Sequence, residues 1–198
     1  TGSAPYLSGP LLSPIGPAAG PNTQLTQNIV ASWLCGARYV ELKTVQIMDE
    51  LEFGRPCIDV EDEGYNAEWS QELKLEQSVR EYIKAWLLIP VLERLLGWEG
   101  AEGAGGLIFN MSVGYNLEGI LQPRMQTFIA KMLDASEELA EYREALRREF
   151  PQYADITAPS ALVNSVTLST MHGCPPDEIG KIARYLLEER KFHLFVKM

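Results

Sequence analysis

Two lysines occupy equivalent places in two hydrophobic strands. Tyr39-Val40-Glu41-Leu42-Lys43-Thr44-Val45 and Phe192-His193-Leu194-Phe195-Val196-Lys197 each read as a short buried strand ending on a cation, with helical sequence between them. A cation at the carboxyl end of a parallel strand points into the crevice where α/β proteins bind ligands. Two of them suit an anionic or electron-rich ligand held from several strand ends at once.

The turns that follow the other predicted strands carry small or polar groups: Ala18-Ala19-Gly20, Lys43-Thr44, Asn110-Met111-Ser112 and Thr167 to Thr170. Small residues let a flat ring approach the backbone, while amide and ammonium groups hydrogen-bond its carbonyls and nitrogens. That combination suits an isoalloxazine ring.

The elements that must position these groups follow from periodicity. Leu11 to Ile15 reads as a first strand running into a turn of small residues. Leu25, Ile29, Val30 and Trp33 have helical spacing over 23–35, and Gly36 stands where a helix C-cap would be. After the second strand, 39–45, an acidic excursion over 46–68 contains Asp59-Val60-Glu61-Asp62-Glu63 and is too long for an ordinary βα loop. It lacks the spacing of an EF-hand, so a solvated loop is expected rather than a metal site. A long helix over 70–96, bent or interrupted at Pro90, and a Gly-rich loop over 97–106 complete this inserted unit. Strands over 107–113, 163–169 and 192–198 alternate with helices over 122–150 and 177–190. Such alternation implies parallel βα units with right-handed crossovers.

About five parallel strands admit an open doubly wound sheet or the first half of a (β/α)8 TIM barrel. The chain stops at Met198, at a hydrophobic strand with no following helix to cover it. The expectation is therefore an α/β fold, a partial TIM barrel truncated at the C-terminus, with residues 1–198 forming the N-terminal portion of one domain.

The 198 residues carry a formal net charge of −10. Sequence-independent nucleic-acid binding needs a basic surface, so small molecules and proteins are the expected partners. The apolar run from Ala85 to Leu92 is cut off by Glu93 and Arg94, short of the roughly 20 residues a membrane span requires. Cys35, Cys57 and Cys174 are odd in number and widely spaced, which predicts neither disulfides nor zinc and fits a reducing cytoplasm. Cys35 and Cys57 are expected to pack as small hydrophobes.

Longer segments carry a resemblance. Ser13-Pro14-Ile15-Gly16-Pro17-Ala18-Ala19-Gly20, Glu41-Leu42-Lys43-Thr44-Val45-Gln46, Phe109-Asn110-Met111-Ser112-Val113-Gly114-Tyr115-Asn116 and Leu168-Ser169-Thr170-Met171-His172-Gly173-Cys174-Pro175-Pro176 resemble the FMN-binding barrels of the dihydroorotate and dihydropyrimidine dehydrogenase superfamily. More closely, they resemble iron-sulfur flavoprotein subunits of selenate reductase type, from about Gly9 onward. The resemblance implies FMN as cofactor, with FAD and iron-sulfur clusters in the rest of a longer protein and electrons fed from a nicotinamide-linked module. It implies that Ala18, Ala19 and Gly20 pass along the flavin, that Lys43 and Thr44 lie near its N1/O2 edge, that Asn110 hydrogen-bonds it and that Lys197 reaches it from the last strand. Asn66 and Asn116 would face the substrate. Nothing in these residues recognises a tetrahedral oxyanion, so a nitrogen heterocycle is the expected substrate class.

The chain departs from that pattern at the fourth strand. Thr167 replaces an asparagine the family uses for orotate-like substrates, and the general acid/base position falls either on Thr170 or, past an insertion, on Cys174. A thiol ionises more readily than a hydroxyl, and His172 could assist it. The expected activity is hydride exchange between flavin N5 and a conjugated double bond. The alternative is a non-catalytic α/β binding or interaction module.

Overall fold

The structure, a computed structural model, describes residues 13, 15–48, 58–59, 65–66, 73–99, 107–170 and 174–198. Along the chain a 3-10 turn at Pro21–Thr23 precedes helix α1 (Thr26–Leu34) and strand β1 (Tyr39–Glu41). Strands β2 (Ile58–Asp59) and β3 (Tyr65–Asn66) come next, then α2 (Leu75–Leu95), β4 (Ile108–Val113), α3 (Leu117–Ile120), α4 (Pro123–Leu133) and α5 (Ser136–Glu149). Strand β5 (Val163–Ser169), helix α6 (Ile179–Arg184) running into a π turn at Tyr185–Glu189, and β6 (His193–Lys197) close the sequence.

The main sheet has the order β1-β4-β5-β6, with every pair parallel. Strand order therefore follows chain order without reversal. A doubly wound sheet reverses at its switch point, whereas a barrel adds each strand beside the last. The architecture is α/β, with four parallel strands forming an arc of a (β/α) barrel. Most of the expected first strand lies outside the described residues, but its end takes the fifth position. The carbonyls of Ile15 and Pro17 accept hydrogen bonds from the Arg38 and Glu41 amides at 3.2 and 3.1 Å. Pro17 has no N–H to return, so the ladder stays incomplete. Gly16 is required at this approach: a Cβ there would lie 1.6 Å from the Tyr39 carbonyl oxygen.

The second expected strand is shorter than the sequence predicts. Leu42 N–H still reaches the Asn110 carbonyl at 2.9 Å, and Val45 bridges Val113, but the Lys43 N–H turns aside to the Thr23 carbonyl at 3.3 Å. The chain thus leaves the sheet at the residue that matters. The acidic excursion contains regular structure after all, since β2 and β3 pair antiparallel with Ile58 opposite Asn66. Asn66 accordingly stands on a strand rather than in a loop. The four positions of the acidic run other than Asp59, and Cys57, lie outside the described residues.

Gly36 ends α1 as expected, and Gly97, the start of the expected Gly-rich loop, ends α2 in the same way. Gly36 and Gly97 have φ of +101° and +68°, and each closes a paired Schellman bond set: Gly36 to Trp33 with Ala37 to Ser32, and Gly97 to Arg94 with Trp98 to Glu93. Helix 122–150 divides at Asp134 and Ala135, where the Ala135 N–H bonds the Ser160 carbonyl at 2.8 Å. Pro90 sits within α2 without ending it. Cys35, expected to pack inward, is exposed at the C-cap of α1.

Strand alternation sends Val40, Phe109, Met111, Val113, Val166 and Leu168 to one face, where they meet Val79, Tyr82 and Ile83 of α2, Met125, Phe128 and Ile129 of α4 and Ile182 of α6. Each such side chain stabilises by about 1.5–3 kcal/mol on burial. Trp86 joins at the margin, its ring 4.9 Å from that of Phe109 and its indole N–H bonded to the Pro159 carbonyl at 2.9 Å. A second cluster of Val30, Trp33 and Ile89 fixes α1 on α2. No helix among the described residues is long and apolar enough to cross a membrane.

Candidate functional site

The opposite face of the same strands is polar and nevertheless buried. Glu41, Asn110, Ser112, Ser165 and Thr167 all lie below 9% exposure, and Lys43 at 1% exposure is among the largest fully buried side chains. In register, Glu41 pairs with Asn110, Ser112 with Thr167 and Ser169 with Lys197. Paired residues on parallel strands share a face, so these groups converge inside the arc.

Glu41 ties this interior together. Its Oε2 accepts the Ala19 N–H at 2.9 Å and lies 3.5 Å from Lys197 Nζ. β1 and β6 are three inter-strand steps apart, about 14 Å on a flat sheet, and their side chains meet across the concave face. Ala19 and Gly20 are buried while Ala18 is exposed. Gly20 is held by Thr23, whose hydroxyl accepts its N–H at 3.2 Å and donates to its carbonyl at 3.1 Å.

Of the other predicted residues, Thr44 exchanges a 2.8 Å hydroxyl bond with Ser112, and Asn110 donates from Nδ2 to Thr167 Oγ1 at 2.6 Å. Lys43 Nζ lies 3.5 Å from the Thr44 carbonyl. Tyr39 joins from the layer below, within hydrogen-bonding reach of Thr167; burial pushes its hydroxyl above the ordinary tyrosine range, and the Glu41 charge adds to the effect. The structure thus brings together Ala19, Gly20, Lys43, Thr44, Asn110, Thr167 and Lys197.

Three predicted residues are placed differently. Asn116 caps α3, its Oδ1 accepting the Gly119 N–H at 2.8 Å, and it borders a separate cavity of about 700 Å³ with Gln122, Asp177, Glu178 and Lys181. Thr170 donates its hydroxyl to the Lys197 carbonyl, so its proton is spent on holding β5 to the end of β6. Cys174 is half-buried, and burial, with the Glu178 carboxylate second, pushes its thiol above the usual range. The environment therefore opposes the easy ionisation that thiol chemistry alone suggests and keeps Cys174 protonated, as a proton donor requires. His172 lies outside the described residues.

Glu41, Tyr39 and Ser165 escape a reading by strand ends alone. Their signal is a period of two: Tyr39, Glu41 and Lys43 on one strand, Asn110 and Ser112 on the next, Ser165, Thr167 and Ser169 on the third, each interleaved with large apolar residues. Among the described residues, Glu41 Oε1, Asn110 Oδ1 and Ser165 Oγ are buried without a hydrogen-bond partner. Each such group costs about 1–3 kcal/mol unless something bonds it. No group of three or more candidate metal ligands occurs among the described residues.

Comparison with known proteins gives the fold and its polar interior a family. The description "Oxidoreductase YgfK, N-terminal TIM-barrel domain" matches residues 3–198. "Putative oxidoreductase YgfK" of Escherichia coli strain K12 is 50% identical over 205 aligned positions, covering 94% of this chain and 20% of the relative, and the counterpart from Escherichia coli O157:H7 matches to the same extent. The chain thus spans about a fifth of the length of these curated relatives. No solved structure matches. Both the domain match over nearly the whole chain and the half-identical relatives place it the same way: the chain belongs to the YgfK oxidoreductase family, as its N-terminal TIM-barrel domain.

Proposed function

We propose that this chain forms the flavin-holding arc of an FMN-dependent oxidoreductase barrel, in which hydride passes between flavin N5 and a conjugated double bond of a small nitrogen heterocycle. The observation that carries the reading is the interior face, where Lys43, Thr44, Asn110 and Lys197 converge at strand ends beside the small residues Ala19 and Gly20. An isoalloxazine edge offers one N–H donor and several acceptors. The orphaned acceptor Glu41 Oε1 suits the N–H donor, and the Lys197 ammonium, 3.5 Å from the other Glu41 oxygen, suits the acceptors.

When bound, FMN supplies a two-electron hydride acceptor and donor. The residues of the chain do the rest. Ala19 and Gly20 leave room for a ring to approach the backbone, with exposed Ala18 at the rim. Lys43 and Lys197 place positive charge where a reduced, anionic flavin gathers negative charge, which stabilises that state in a low-dielectric interior. Asn110, held by Thr167, fixes an amide at the ring edge. Cys174, kept protonated, serves as the proton donor to substrate in preference to Thr170, whose hydroxyl is engaged with the β6 backbone. Thr167, and Asn66 by its place in the family pattern, are assigned to substrate binding. The longer protein carries FAD, iron-sulfur clusters and a nicotinamide-linked electron source, and works in the reducing cytoplasm with its thiols free.

The test is to express the full-length protein and identify by chromatography any flavin released on denaturation. About one FMN per barrel is expected. Well-folded protein without FMN would overturn the reading in favour of a non-catalytic binding module.

A further inference from the structure

We propose that Glu41 is a ligand-binding residue whose Oε1 accepts a hydrogen bond from a ring N–H of a cyclic imide or ureide. The proposal rests on the oxidoreductase reading for the identity of one possible ligand, the flavin. Its geometry stands apart from that reading.

Glu41 is an unusual residue for the inside of a barrel, where bulky branched side chains dominate. Its two oxygens are treated differently. Oε2 has the Ala19 amide at 2.9 Å and the Lys197 ammonium at 3.5 Å. Oε1 is buried without any partner. On the neighbouring strand, in direct register, Asn110 is fully buried, spends its Nδ2 on Thr167 and leaves its Oδ1 without a partner too. Two buried acceptors one strand spacing apart, roughly 5 Å, share one face. A buried acceptor without a donor is costly, and two side by side also repel each other as dipoles. What relieves Glu41 Oε1 is a planar group presenting an N–H donor at its edge.

A carboxylate selects for such a donor more sharply than a neutral amide would. Charge-assisted hydrogen bonds are about twice as strong as neutral ones. Lys197 offsets the Glu41 charge through Oε2, so Oε1 suits a neutral ring N–H and does not require a cation. The Ala19 amide holds the carboxylate's orientation from the turn that follows the first strand. A cyclic imide or ureide is the chemistry that fits: N–H between carbonyls, with those carbonyls free to meet the ammonium groups. Both the pyrimidine ring of a flavin and a free pyrimidine carry this edge, and the experiment separates them.

The full-length protein, stripped of flavin, is titrated with FMN and with 3-methyl-FMN, which lacks the ring N–H. Separately, uracil and 1,3-dimethyluracil are titrated by calorimetry into the protein as isolated. In one of the two pairs the N–H form is expected to bind at least about tenfold more tightly, equivalent to about 1.4 kcal/mol. Glu41→Gln, which keeps the shape, should reduce that preference at least about threefold, and Glu41→Leu should abolish it. Where Glu41→Leu fails to fold, Glu41→Gln decides. A flavin preference assigns the edge to the cofactor; a uracil preference assigns it to substrate. No preference in either pair, or a preference that survives Glu41→Gln, overturns the proposal. Absence of any flavin binding would sink the FMN reading while leaving the uracil pair to judge Glu41.

Discussion

Phe109 and Asn110 are neighbours on one strand, yet they live in opposite chemistries. Phe109 packs among the side chains of α2 and against the Trp86 ring; Asn110 faces the concave interior, where its side-chain amide donates to Thr167. Both are essentially inaccessible. Burial by itself therefore says nothing about role here. The outer face excludes water and makes the fold, whereas the inner face retains unpartnered polar atoms that are unfavourable for folding and useful for binding.

The largest expected effect breaks the comparison from the outer side. Phe109→Ala should lower unfolding free energy by about 3–5 kcal/mol, measured by urea titration, while Asn110→Ala should cost under about 1.5 kcal/mol and abolish FMN binding to the full-length protein. Equal destabilisation by the two changes would show that the inner face is ordinary core. Lys43→Met sharpens the same contrast. Affinity for reduced flavin should fall at least about tenfold. Unaltered flavin affinity would remove Lys43 from the site.

Cys174 tests the rim of the interior. With its thiol pushed up by burial and by Glu178, alkylation by iodoacetamide at neutral pH should be slower than that of an unstructured cysteine peptide, and its rate should climb only above the ordinary thiol range. The folded state prefers the protonated thiol, so this group's stabilisation is present below the unfolded pKa and fades as pH rises through the raised one. Rapid alkylation at neutral pH would exclude Cys174 as a group that stays protonated.

The smallest effect lies on the outer surface. Arg124 forms a two-point bond to Glu76, joining α4 to α2 at 3.1 and 3.0 Å, and that bond holds the Glu76 carboxyl below its usual range. Arg124→Ala should cost at most about 1 kcal/mol because both groups are exposed. Its contribution is present above the unfolded carboxyl pKa and lost as pH falls through the depressed folded value, so the variant and parent should converge in acid. A pH-independent difference would assign the effect to packing instead.

Much of this architecture was legible from local pattern. The four sheet strands, the helix stops at Gly36 and Gly97 and the parallel order all follow from periodicity and glycine geometry, which are short-range properties. The features that local pattern does not place depend on longer range. Cys35 reads as a core residue by type, but the turn that places Gly36 at positive φ leaves the cysteine outside. Asn116 reads as a substrate ligand by position, but a helix that begins at Leu117 uses its carbonyl oxygen as a cap. Thr170 offers a hydroxyl of the right kind, and the approach of β6 takes its proton.

The sequence alone determined that lysines, small turn residues and amides would stand at the ends of parallel strands, because strand periodicity and βα alternation are written in neighbouring residues. Only the tertiary structure decided which of them meet on the concave face. Glu41 and Lys197 are far apart in the chain and meet because the sheet curls, and the unpartnered oxygens of Glu41 and Asn110 exist only once those strands lie in register. Proximity across a curved sheet is set by the summed packing of helices on its outer face, which no local stretch of residues encodes.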